Sequence, residues 1–273
     1  MNACYFGRAG EWKQSEKLWD ALDMEGRMEH FRRENEDAPF VVSFAGAGGK
    51  TSLIRRLAWE GRERGHKVLV LTTTHMYRPT RFGVLDKSPG AVDRMLCREA
   101  LAVAGHLEEN GKISFQGWDY YREIIPLASL VLVEADGSRR LPVKTPGPGE
   151  PVIPENIALM LCVSGLTAVG GAAKDVCFRL EQAEAVLGIG EEQQAEAGSW
   201  LLTPERVERL MVCGYLLPWR KKVWQDGKDV IPVFNQADTE KQKLLGRTML
   251  EHMGESSGIV TGNLHREPSF ELF

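Results

Sequence analysis

No stretch of this 273-residue chain approaches the roughly 18 uninterrupted apolar residues of a transmembrane helix. The segment from Met1 to Gly26 is polar and acidic where a secretory signal needs a basic start and an apolar run, so the expected location is cytoplasmic, with no membrane partner. There is no basic excess either. Lys and Arg number 34 against 38 Asp and Glu, a net charge of −4, so no global field exists to hold a nucleic acid by counterion release, although a local basic groove stays open. Paired cysteines are missing as well. Cys4, Cys97, Cys162, Cys177 and Cys213 stand singly, without the C-x-x-C or Cys/His clustering of a structural zinc site, and read as reduced, mostly buried thiols. Internal repeats and low-complexity tracts are absent. What remains, 43% hydrophobic and 26% charged residues, is the composition of a globular chain with one large domain or one plus a small appendage.

In residues 1–38, Trp12, Trp19, Leu22 and Phe31 recur at roughly helical spacing, and the segment ends at Ala38-Pro39. It reads as a helical extension outside the main core. From Phe40 the texture changes. An apolar strand, Phe40 to Ala45, leads through a glycine-rich turn into a helical stretch, Thr51 to Arg64, which Gly65 stops with a left-handed cap. A second apolar strand, Lys67 to Thr72, follows at once, and strand–helix–strand at this separation is the βαβ unit of a parallel sheet. The fold class is therefore α/β, with residues 39–273 as one domain whose mostly parallel sheet is flanked by helices. Ser88-Pro89 opens another helix, and Asn110-Gly111 between two β-like runs marks a hairpin or an insertion at about 84–128. Further strands are expected at Leu130 to Val133, Leu159 to Ser164, Pro232 to Asn235 and Ile259 to Thr261. Helices are expected at Leu180 to Leu187, Pro204 to Cys213 and Thr239 to Met253.

Gly46-Ala47-Gly48-Gly49-Lys50-Thr51 directly follows the first strand and opens the first helix, where a phosphate loop belongs. Glycines let several N–H groups turn toward one anion, Lys50 adds a mobile positive charge, and the Thr51 hydroxyl can ligate Mg²⁺, with Ser52 next in the same turn. The usual G-x-x-x-x-G-K-[ST] spacing would require glycine at Phe44. This loop is two residues shorter and resembles that of the Mur ligases. Glu134-Ala135-Asp136-Gly137 closes a buried strand, the place where acids meet a magnesium shell. Two assignments are open: Glu134 as a ligand through water, and Asp136 as a ligand, a phosphate sensor or a water-positioning group. Ser138-Arg139-Arg140 and Lys144 add positive charge nearby, with Arg139 suited to transferring phosphoryl charge or to an anionic second substrate. Thr72-Thr73-Thr74-His75 leaves the second strand at the edge where ligands of open α/β sheets bind, which makes His75 a candidate general base or hydrogen-bonding clamp. Asn235-Gln236-Ala237-Asp238 resembles the guanine-reading Asn-Lys-x-Asp motif with Gln in place of Lys. There Asp238 would accept from the guanine N–H groups, and it reads equally well as the N-cap of the next helix. Glu150-Pro151-Val152-Ile153-Pro154 is a rigid loop, either a lid or a connector.

Taken in order, these motifs resemble one family. Gly46 to Thr51, Thr72 to His75, Val133 to Arg139 with Leu141-Pro142-Val143-Lys144, Glu150 to Pro154 and Asn235 to Asp238 are similar to the YqeC-like proteins, described as selenium-dependent hydroxylase accessory or selenium cofactor biosynthesis proteins. The resemblance spans about 200 residues, from Phe40 to Asp238. It implies a P-loop NTPase-like protein connected with maturation of selenium-dependent molybdenum hydroxylases, in which a labile selenium is added at the molybdenum cofactor site. The expected partners are then a nucleotide, GTP or ATP, with Mg²⁺, and such a hydroxylase or its cofactor-maturation proteins. A small-molecule kinase or ATP-dependent ligase, and a nucleotide-binding delivery scaffold, are the alternatives.

Overall fold

The computed structural model describes residues 3–6, 11–36, 38–190, 198–223, 229–266 and 273. Its main element is a ten-stranded sheet in the order Trp12–Ser15, Ala3–Phe6, Gly258–Val260, Asp229–Asn235, Leu159–Gly165, Phe40–Gly46, Leu130–Glu134, Val68–Thr72, Leu101–Ala104 and Gly83–Val84. From Gly258–Val260 to Gly83–Val84 every neighbouring pair is parallel, and the first two strands join antiparallel. The central strands are buried along their whole length, as β-rich apolar runs covered on both faces must be. The fold is the α/β sheet flanked by helices that the strand–helix–strand pattern predicts.

The Lys50–Glu63 helix buries Leu53, Ile54, Leu57 and Ala58 on the sheet. Gly65 sits at φ +82° just beyond its end, the left-handed position expected there. Ser88 caps Pro89–Glu99 by accepting from Ala91 N, with proline at the first helical position. The chain runs from Phe40–Gly46 toward one side of the sheet, returns through Leu130–Glu134, and then crosses to Leu159–Gly165 on the other side. The carboxyl end of Phe40–Gly46 is thus at a switch in winding direction, where open α/β sheets form their crevice.

Two expectations about organisation change. The N-terminal segment does carry helices, Leu18–Ala21 and Met24–Glu34, but it is not outside the core. Leu18, Trp19, Leu22, Met24 and Met28 are buried in it, and Ala3–Phe6 and Trp12–Ser15 extend the main sheet. The physical reason is Glu60, a buried carboxylate on the Lys50–Glu63 helix. It accepts from Leu18 N at 3.2 Å and Trp19 N at 2.7 Å, satisfying the start of the short N-terminal helix, while Arg56 balances its charge at 2.5 Å. Helical spacing alone does not reveal such a long-range cap. Within residues 84–128, the hairpin at Asn110-Gly111 forms between His106–Leu107 and Lys112–Ser114, in a small sheet with His75–Tyr77. Leu101–Ala104, by contrast, is a fully buried strand of the main sheet rather than part of an insertion.

Candidate functional site

The glycine-rich loop leaves Phe40–Gly46 and is pressed against the ends of the neighbouring strands. Gly46 has φ +98°, and a Cβ there would lie 2.1 Å from Val163 O; at Gly48, φ +79°, it would lie 2.3 Å from Gly165 N. No larger residue fits this path. The loop is anchored through Ala47 N to Val163 O (2.9 Å), Gly48 N to Leu141 O (3.3 Å), and the Asn235 side-chain amide, which donates to Gly48 O at 2.7 Å. The first turn of the following helix leaves the N–H groups of Lys50, Thr51 and Ser52 without an intrahelical acceptor, a local positive potential at the loop mouth.

Two acids meet the loop in different ways. Glu134, at the end of Leu130–Glu134, is buried and accepts one hydrogen bond from the Thr51 hydroxyl at 2.8 Å. Burial pushes its carboxyl above the ordinary range, helped by Asp136, while Lys50, the Thr51 hydroxyl and Arg55 oppose the shift. Asp136 lies beneath the loop and is fully buried. It accepts from Gly46 N at 3.1 and 3.0 Å and from the Tyr215 hydroxyl at 3.3 Å, and it pairs with Lys50 and with Lys144, each at 3.1 Å. Lys50 also donates to Gly46 O at 2.5 Å, so its ammonium is folded back into the loop. With its acceptor capacity occupied, Asp136 is a support for the loop and its lysine. The two acids that the motif leaves interchangeable are separated by their surroundings.

Other expected residues divide similarly. Thr72 Oγ1 donates to Glu134 O at 3.2 Å, tying two strand ends together, and Thr73 Oγ1 donates to Val152 O at 2.7 Å, tying them to the Pro-rich loop. Thr74 Oγ1 is buried without a partner among the described residues. His75 is exposed on the small sheet opposite Ser114, and no hydrogen bond or ion pair joins it to the loop. Arg139 is exposed, at φ +49°, with its guanidinium 4.9 Å from the Phe178 ring centre. Asn235 is at the loop rather than free for a base. Asp238 is exposed and accepts from Asn263 N at 2.6 Å, and the cap of the next helix is Thr239, in a capping box with Gln242. Gln236, at φ +62°, is hydrogen-bonded by the Thr167 hydroxyl.

Sequence reasoning missed three members of the ion network. Tyr215 sits in a π-helical turn, Val212–Leu216, whose irregular winding no local pattern announced. Glu150 holds Lys144 at 2.6 Å and Arg179 at 2.6 Å, and the signal for it was its place at the head of the Pro-rich loop. Arg179 fits because Gly147 has no side chain; a Cβ there would lie 1.1 Å from Arg179 Nη1. Cys162 and Cys177 are buried, which pushes both thiols up, Cys177 to about 12, so neither is an activated nucleophile. Among the described residues no helix is long and apolar enough to cross a membrane, and no group of three or more His, Cys, Asp or Glu is placed to hold a metal.

Fold and site together define a doubly wound α/β protein with a glycine-rich strand-to-helix loop and two buried acids at the carboxyl edge of its sheet. The family model described as YqeC protein matches residues 42–181, and the chain belongs to the YqeC family. An uncharacterized protein YqeC of Escherichia coli (strain K12) is 34% identical over 140 residues, covering 48% of this chain and 54% of that protein. The chain thus spans about half the length of the curated relative it matches.

Proposed function

We propose that the protein binds a nucleoside triphosphate with Mg²⁺ at the Gly46–Thr51 loop, with GTP preferred, and hydrolyses it in support of the maturation of selenium-dependent molybdenum hydroxylases. The observation that carries the nucleotide reading is the contact of Thr51 Oγ1 with the buried Glu134 carboxylate, 2.8 Å apart, beside the unpartnered amides of the first helical turn. Those two hard oxygen donors, with no denser ligand cluster among the described residues, suit Mg²⁺, which keeps several waters and takes few protein ligands. Bound there, Mg²⁺ supplies charge neutralisation for the outer phosphates. The chain's own residues do the rest. The amides of Lys50, Thr51 and Ser52 donate to phosphate oxygens, and Lys50 exchanges Gly46 O and Asp136 for them. Asp136 and Asn235 hold the loop in its anion-accepting shape. Asp238, at the same carboxyl edge of the sheet, is the acceptor proposed for the guanine N–H groups. The motif resemblance supports the client.

Equilibrium titration of GTP, ATP and CTP, with and without Mg²⁺, tests this on the wild type and on Lys50→Ala. The expected result is Mg²⁺-dependent binding, tightest for GTP, weakened roughly 10- to 100-fold by loss of a charged hydrogen-bond donor in Lys50→Ala. Undetectable binding to the wild type, or equal affinity for the variant, would overturn the reading.

A further inference from the structure

We infer that a second anion site, built for a phosphate-like oxyanion of a co-substrate, lies beside the glycine-rich loop on Arg139, Lys144 and Arg179 around Phe178. The inference rests on the nucleotide reading only for its word co-substrate; the site itself stands on separate residues. Three cations gather on one aromatic ring. Arg139 lies 4.9 Å, Arg179 5.2 Å and Lys144 5.8 Å from the Phe178 ring centre. Lys50 is linked to the same group through Asp136, which takes Lys50 on one oxygen and Lys144 on the other. The carboxylates paired with this group are Asp136 and Glu150. Asp136 and Glu150 engage Lys50, Lys144 and Arg179, with Glu134 also close to Lys50, and Arg139 at the exposed rim is left without a carboxylate among the described residues, so an added oxyanion meets an uncompensated guanidinium there.

Donors without acceptors point the same way. Among the described residues Arg179 Nε is buried with no hydrogen-bond partner, although Nη2 of the same guanidinium holds Glu150 at 2.6 Å. Thr145 Oγ1, in the segment that carries Lys144, is buried and also without a partner among the described residues. Arg139 makes no ion pair among the described residues, and its left-handed backbone, shared with Arg140 and Arg179, is a conformation that non-glycine residues keep chiefly where surrounding structure or function demands it. Guanidinium forks match phosphate geometry, while Lys144, buried and donating to Gly137 O, Glu150 and Asp136, adds only its charge from beneath. The site is also coupled to the loop: Gly48 N donates to Leu141 O and Gly165 N to Pro142 O, so the segment leading to Lys144 wraps the glycine-rich turn.

Inorganic pyrophosphate is the probe, titrated calorimetrically into the wild type, Lys50→Ala, Lys50→Ala/Arg139→Gln and Lys50→Ala/Arg179→Gln. Lys50→Ala weakens the loop's own anion affinity, and dependence on the two arginines in that background then reports the second site. The expected result is pyrophosphate binding retained in Lys50→Ala and weakened at least tenfold by either arginine change. Arg139 is exposed, so Arg139→Gln is the variant that keeps the test independent of folding. Loss of all pyrophosphate binding in Lys50→Ala, or binding there that ignores both arginine changes, would overturn the inference. Failure of the wild type to bind nucleotide, with pyrophosphate binding intact in Lys50→Ala, would remove the nucleotide reading and leave this site standing.

Discussion

Glu134 and Asp136 are two residues apart at one strand end, both carboxylates and both buried, yet their environments differ in kind. Glu134 has one hydroxyl donor and a carboxyl pushed upward by burial. Asp136 has the Gly46 amide, a tyrosine hydroxyl and two ammonium groups. A carboxylate satisfied on every side is structural. Glu134, held by a single hydroxyl at the mouth of an amide-lined loop, is the acid that the proposed function assigns to the cation. The comparison teaches that the acid-x-acid pattern is a pair of positions, and that the donors reaching each position from distant segments assign the role.

The largest break in the comparison is expected at Asp136. Asp136→Ala leaves the Lys50 and Lys144 ammonium groups buried together without their shared carboxylate, and should cost about 3–5 kcal/mol of stability. A shift in the denaturant midpoint measures it; an unchanged midpoint would mean that the network contributes nothing to folding.

Glu134 should behave in the opposite sense. Its folded-state pKa is raised, so its favourable contribution is complete below the ordinary glutamate range and is lost as pH rises through the raised value. Glu134→Gln cannot ionise and escapes that loss. The variant should melt at a higher temperature than the wild type near neutral pH, with the gap closing as the pH falls below about 4. A gap that stays constant with pH would show that Glu134 is not held against ionisation.

The smallest effect belongs to Asn235. Asn235→Ala removes one hydrogen bond to Gly48 O and should cost about 1 kcal/mol in stability, with a modest loss of nucleotide affinity. A selective loss of GTP with ATP unaffected would instead return Asn235 to base recognition.

How far the sequence carried the reading depends on the range of the interactions involved. The strand from Phe40, the loop, the helix from Lys50 and the acid-bearing strand at Leu130 are local patterns, and each forms within a residue or two of its expected bounds. Glu60 capping Leu18 and Trp19 across 42 and 41 residues, and Tyr215 reaching Asp136 across 79, depend on tertiary placement and leave no periodic trace. Gly147 was visible only as one glycine in a Pro-Gly stretch; its meaning is the guanidinium packed where a side chain would be. His75 shows the reverse. It lies next to a hydroxyl-rich strand end in sequence, but the pairing of His75–Tyr77 with Lys112–Ser114 takes it into the small sheet.

The most direct measurement is the Mg²⁺ dependence of nucleotide affinity in Glu134→Gln and Asp136→Asn, each confirmed folded by far-ultraviolet circular dichroism. The account predicts that Mg²⁺ no longer tightens binding in Glu134→Gln and still does so in Asp136→Asn. Retained Mg²⁺ enhancement in Glu134→Gln, with its loss in Asp136→Asn, would contradict the division of roles between the two acids.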